Sequence, residues 1–464
     1  MEKISKIEKS LTDFADFVKT SPTPHFVVQN ALQILQKSAG CEFINFCDFL
    51  QNSNDKNKNN KNHKNQNFYF SQDGIFIAFH LGNRKIADGI NILAAHTDSP
   101  CLKIKPKPEN FFHENSKKFF TLSSEVYGGA TIATFSDRDL SLAGRIFYQI
   151  ATQKKPQNVL LDLQIPLCRL ANLPIHLNRQ VNENGLKFNK QTELNLLFSE
   201  SVFYENFSQF LVEKICKNQK DQKNQKNQKD KKNIKILSYD LLAYDAQEPS
   251  IWGEQHNFIS SRQLDNLSSC YAEIQAFVEI LKNKNKNNKT TILCLFNHEE
   301  VGSVSSQGAA GATLQNILGW IFDSQNISAA EKFLTLQNSF LISADTAHAF
   351  HPNFPQCYEP NHRCFAGEGV ALKLNENQRY ISNDATIAIV KSIAESEKIK
   401  TQMYVNRADL ACGSTIGPTL ATLLGIPGID LGIATFAMHS CRETIHSQDL
   451  IAMQKLLAAL LKNL

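Results

Sequence analysis

At 464 residues the chain is long enough for two domains of roughly 100–200 residues each. Its 42% hydrophobic content can fill a sizeable core, and no run of about 18 apolar residues argues for a membrane span. The formal net charge of +4 excludes a strongly acidic or basic chain overall.

The first 17 residues mix Glu and Asp with Lys and have no apolar stretch of signal-peptide type, so they read as an amphipathic helix. Eleven scattered cysteines, odd in number and without a CxxC, fit thiols in a reducing cytoplasm better than a disulfide framework. Three Lys/Asn/Gln tracts, residues 52–67, 217–233 and 282–289, carry much of the basic charge. They contain no arginine and no aromatic ring for stacking, so they read as solvated loop tips; no nucleic-acid partner is expected.

Between the tracts the patterning is that of a folded protein. Residues 68–70, 75–80 and the apolar run 90–95 read as strands. From about 100 to 234 the stretches are short and alternating, with several prolines and glycines and few long helices, which suggests a β-rich inserted domain. Residues 234–242 form another strand candidate. Leu267, Cys270, Tyr271, Ile274, Phe277, Val278 and Leu281 then follow the spacing of one helix face. Strand patterns at 291–296 and 340–344 and an apolar helical stripe over 450–464 complete the series. This alternation predicts an α/β fold with helices on both faces of a sheet.

Five short segments gather His, Asp and Glu at strand or helix ends, where open α/β sheets bind ligands. His96-Thr97-Asp98 follows the 90–95 strand; His96 offers a metal ligand and Asp98 a partner for its other ring nitrogen. Leu264-Asp265-Asn266 precedes the clearest helix, where Asp265 suits either a helix cap or a ligand. Glu299 and Glu300 follow the 291–296 strand, and two adjacent carboxylates there are costly without a cation. One can ligate while the other serves as general base toward water. Asp345, His348 and His351 crowd a turn-rich stretch after residue 344, with His348 a candidate substrate contact. His439 lies in Met438-His439-Ser440-Cys441-Arg442-Glu443.

Each segment alone also suits an ordinary structural role. Together His96, His439, Asp265, Glu300 and Asp345 make a usable set for two divalent ions, Zn²⁺ foremost, with Mn²⁺ or Co²⁺ also compatible. No GxSxG elbow and no GxxxxGK[ST] phosphate loop occurs.

Nine segments, among them AAHTDSPCLKIKP (94–106), ISSRQLDNLSSCY (259–271), NHEEVGSVSSQGA (297–309), LISADTAHAFHPN (341–353) and MHSCRE (438–443), resemble the M18 (aspartyl aminopeptidase) family in order. The resemblance implies a zinc-exopeptidase-type mixed sheet sandwiched by helices. Residues 1–97 and 235–464 would form the discontinuous catalytic domain, and residues 98–234 an inserted β-rich dimerisation domain. It implies an enzyme that removes the N-terminal residue of a peptide, preferably Asp or Glu, and assembles as a dimer-based homo-oligomer, typically a dodecamer. His96, Asp265 and Asp345 would hold one metal; Asp265, Glu300 and His439 the other. Glu299 would be the base and Asp98 the residue orienting His96. His176 matches a histidine that reaches a neighbouring subunit's site, and Lys373 and Tyr380 match residues lining an acidic-side-chain pocket. The chain departs from the family pattern at Asn297, where Asp is usual, at Thr346, where Met is common, and at Thr134-Phe135-Ser136. Rival readings are a two-metal deacylase, a binding protein with a vestigial site, and a nucleic-acid binder using the lysine tracts.

Overall fold

A computed structural model describes residues 2–38, 40–53, 67–114, 117–200, 204–222, 233–282 and 288–464. Most of the three lysine tracts lies outside the described residues. The chain divides into two units: residues 1–98, 249–438 and 443–464 form the first, residues 99–248 and 439–442 the second.

The first unit is built on a nine-stranded sheet. Its strands lie in the order Ile44–Asn45, Asn67–Gln72, Ile75–His80, Thr290–Phe296, Ile90–His96, Phe340–Ala344, Gly428–Gly432, Val370–Leu374 and Thr401–Val405. The four central strands run parallel, pairing Phe296 with His96, Ser343 with Ala94 and Ala344 with Leu431. Every residue of the His96 strand is buried, which explains its uninterrupted apolar run: strands covered on both faces need no alternation.

The two faces are nonetheless distinct. Leu93, Ala95, Leu293 and Leu295 pack with the helices Glu2–Thr20, Pro24–Ser38, Leu264–Lys282 and Ser447–Asn463. Ile92, Ala94, Ile292 and Cys294 pack with Phe46–Ser53, Thr313–Ser324 and Ile416–Leu424. The fold is therefore α/β with helices on both faces, as the alternation predicted. A second sheet of five short strands, including Phe258–Ser261 and Glu443–His446, completes the unit. No described helix is long and apolar enough to cross a membrane.

The second unit is a six-stranded antiparallel sheet. Its order is Gln157–Asp162, Leu140–Ile150, Ile234–Asp245, Cys101–Glu114, Lys117–Tyr127 and Asn195–Ser199. The Ile234–Asp245 strand belongs to this sheet, so the unit extends to Glu248 rather than ending at 234. It also holds a 16-residue helix, Phe207–Gln222, in a region whose pattern suggested few long ones. Phe207, Phe210, Leu211 and Ile215 anchor it in a core of its own. The second lysine tract therefore begins inside a helix, not at a loop tip; the Glu213–Lys217 pair spans one turn of it.

Several charged residues are nonetheless fully buried, Glu273, Asp430 and Asp449 among them. Glu273, on the Leu264–Lys282 helix, is fully buried, and neither carboxyl oxygen reaches a donor in good hydrogen-bonding geometry. Burial raises its pKa well above the usual 4.5, with the Ala94 backbone amide drawing it only partly back. A carboxyl that binds its proton more tightly folded than unfolded stabilises most below pH 4.5 and loses that contribution as pH rises toward its folded pKa. Replacing Glu273 by Leu is expected to raise stability at pH 8 by about 1–3 kcal/mol, and by less at pH 5. Denaturant titrations at the two pH values check this; a loss of stability at pH 8 refutes it.

Candidate metal centre

The parallel strands end together, and the sequence places its acids and histidines at those ends. His96 is the last residue of its strand, and its Nε2 lies 3.5 Å from Asp265 Oδ1, 3.5 Å from Asp345 Oδ1 and 3.9 Å from Glu299 Oε2. One ligand atom each from His96, Asp265 and Glu300 lies within 4.8 Å of the others. The structure thus gathers five of the sequence candidates, His96, Asp265, Glu299, Glu300 and Asp345, around one point.

Local backbone explains each placement. Asp265 and Asn266 open the Leu264–Lys282 helix in non-helical conformations, with a cis peptide bond between them. The Asp265 amide donates to Glu443 Oε2 at 2.8 Å, and Asn266 Nδ2 donates to the Ala344 carbonyl at 2.8 Å, one residue before Asp345. Glu299 and Glu300 occupy a single 3₁₀ turn held between His298 and Gly302, both left-handed. Their amides donate to the two carboxylate oxygens of Asp98, each at 3.1 Å.

Asp98 accordingly does more than the sequence suggested. The nearest acceptor for His96 Nδ1 is the Asp98 backbone carbonyl at 3.0 Å, with its carboxylate at 3.5 Å. The carboxylate's closer work is to fix the Glu299-Glu300 backbone. Thr97, between them, donates from its hydroxyl to the Gly74 and Phe296 carbonyls, at 2.9 and 3.0 Å.

Electrostatics follow from packing these acids together out of water. Burial raises Glu299 to about 7; Asp345, Asp265 and Asp98 push the same way and His96 opposes them. Burial alone would lower His96, but hydrogen bonds to Asp265, Asp345 and Asp98 and the charge of Glu299 hold it well above its ordinary value. Three carboxylates within 4 Å of one imidazole nitrogen demand positive charge, and the mixed N/O donor set, without thiolate, suits a divalent cation. Lys373, only 2% exposed, lies at the edge of this group. Its Nζ stands 3.7 Å from Asp345 Oδ2 and 5.2 Å from the centroid of the Tyr380 ring.

Other candidates lie differently. His348 is exposed and sits edge-on to Tyr404, 5.9 Å between centroids; Tyr404 in turn is 6.2 Å from Tyr380. His439 belongs to the second unit, left-handed at φ 64°, with its ring against Gly129 and its carbonyl accepting the Thr131 amide. His176 is exposed in a turn of the same unit, beside exposed Leu173, Ile175 and Leu177. Sequence reasoning gave no role to Glu443, Asn266 or Cys270, whose contacts join segments far apart in the chain. Only their neighbourhood to ligands marked them.

The comparisons concern the chain as a whole. A family model described as "Aminopeptidase I zinc metalloprotease (M18)" matches residues 17–461. A probable M18 family aminopeptidase 2 of Pseudomonas savastanoi pv. phaseolicola is 36% identical over 447 residues, covering 96% of each chain. Its counterpart in Ectopseudomonas mendocina is 36% identical over 457 residues, 97% of this chain and 98% of that one. Among solved structures, a chain of the Ape4 and Nbr1 complex superposes with a TM-score of 0.87 at 31% identity, covering 99% of this chain and 86% of that chain. The Thermotoga maritima M18 aminopeptidase shares the fold, with a TM-score of 0.78 at 20% identity over 99% of this chain and 97% of the other. Matched along nearly its whole length, the chain belongs to the M18 family of zinc aminopeptidases, metallopeptidases that cleave at the N-terminus of a peptide.

Proposed function

We propose that this enzyme is a two-metal aminopeptidase that prefers acidic N-terminal residues and uses Glu299 as its general base. The observation that carries the reading is the acid cluster at His96 with a buried lysine at its rim. His96, Asp265 and Asp345 would hold one ion, and Asp265 and Glu300 would help to hold the other. Bound divalent ions supply Lewis acidity to water and to the scissile carbonyl. Glu299 takes a proton from the attacking water and returns it to the leaving amine. Asp98 keeps Glu299 in place through its backbone amide.

Lys373 is the specificity element in this reading. A confined ammonium beside Tyr380 gives an acidic side chain a charged partner that a neutral one cannot use. A hydrogen bond to a charged group is worth about 2 kcal/mol, roughly 30-fold in rate. On a panel of Asp, Glu, Leu and Lys amides, the wild type should favour the acids. Lys373→Met should lower the Asp-to-Leu ratio of kcat/KM by about that factor. An unchanged ratio would reject the acidic-pocket assignment, and cleavage of only N-acylated substrates would reject the aminopeptidase one.

A dodecameric assembly is part of the same proposal. The S. cerevisiae mApe1 dodecamer has a similar fold, and the exposed apolar turn around His176 suits a subunit contact. Mass photometry of the purified enzyme should give about twelve chains; a monomer would remove His176 from the site.

A further inference from the structure

The His96 carbonyl accepts a hydrogen bond from the thiol of Cys270, Sγ to O 3.0 Å, and both residues are buried. Cys270 lies on the helix that opens with Asp265, five positions farther on. The thiol thus ties the strand carrying one ligand to the helix carrying the other, whose facing atoms are 3.5 Å apart.

The neighbouring residues are secured by other elements. Thr97 donates its amide to the Phe296 carbonyl at 2.7 Å and its hydroxyl to Gly74, while Asp98 receives the amides of Glu299 and Glu300. Of the three successive residues 96–98, His96 is the one linked to the Leu264–Lys282 helix by this side chain. Nothing in the reaction requires a thiol there, and a purely space-filling residue would not need a donor.

We infer that Cys270 is a positioning residue: its S–H group sets the distance and angle between His96 and Asp265, and through them the affinity of the centre for zinc. This rests on the assignment of His96 and Asp265 as ligands. A cysteine also packs as a small apolar side chain, and that simpler role predicts different behaviour on substitution.

The two roles separate in three variants of the full-length enzyme. Cys270→Ser keeps a donor, Cys270→Val keeps bulk without one, and Cys270→Ala keeps neither. Zinc affinity is measured by competition with a chromophoric chelator, and the melting temperature is measured on metal-stripped protein. Losing an outer partner of a metal ligand typically weakens binding 10- to 100-fold. Val and Ala are expected to lose zinc affinity by that factor, while Ser stays within about threefold of wild type. Wild-type affinity in Val overturns the proposal, as does a Ser variant as weak as Ala while equally stable without metal. His96→Ala serves as the control: if it binds zinc like wild type, the ligand assignment itself fails, and the role of Cys270 with it.

Discussion

Glu299→Gln is expected to lower kcat on an acidic aminoacyl amide by about 10²–10⁴-fold while leaving zinc content unchanged. The amide of Gln fills the same space but neither accepts nor returns a proton. Glu299 lies 3.9 Å from His96 Nε2, so it borders the ligands, and its backbone is anchored to Asp98 independently of its side chain. The substitution should therefore spare the rest of the centre. The pH profile gives a second readout. Burial and three neighbouring carboxylates bring Glu299 to about 7, and bound cations can only favour its charged form. The acid limb of kcat/KM should accordingly lie at or below pH 7 and disappear in the variant. Near-normal turnover by Glu299→Gln would refute the assignment, and parallel loss of zinc would make Glu299 a ligand instead.

Asp265→Ala is expected to abolish activity and to weaken zinc retention by more than about 100-fold, the upper cost of losing merely an outer partner. Asp265 Oδ1 lies 3.5 Å from His96 Nε2, and Asp265, His96 and Glu300 offer ligand atoms within 4.8 Å of one another, which suits the bridging role proposed for it. Stability supplies an independent check. Ligand at 100 times its Kd stabilises a folded protein by about 2.7 kcal/mol. Chelator should therefore lower the melting temperature of the wild type clearly and that of Asp265→Ala hardly at all. Equal chelator-induced shifts in the two proteins would show that Asp265 does not hold metal.

Much of this was legible in the residues because the signals are local. A fully apolar 90–95 run marks a strand covered on both faces, and the stripe from Leu267 to Leu281 marks a buried helix. His96, Glu299-Glu300 and Asp345 were visible because each directly follows such a strand. Other features have no local signature. The carboxylate of Asp98 finds two amides roughly 200 positions away, and Glu443 finds the amide of Asp265; only the tertiary arrangement specifies such pairings. The Phe207–Gln222 helix was obscured because its C-terminal turns share the polar composition of the tract they enter. His439 is a related case: its position in the chain follows the first unit's strands, yet its contacts place it with the second.

The strand ending in His96 has both edges occupied by segments made much later, Thr290–Phe296 on one side and Phe340–Ala344 on the other. An entire separate sheet is synthesised before either arrives. Closing such long loops is slow and entropically costly. A chain halted before Phe340 lacks both one neighbour for its central strand and the Asp345 carboxylate for its centre. The acid cluster around His96 therefore cannot assemble on an N-terminal fragment that stops short of Asp345, however well its earlier strands have formed.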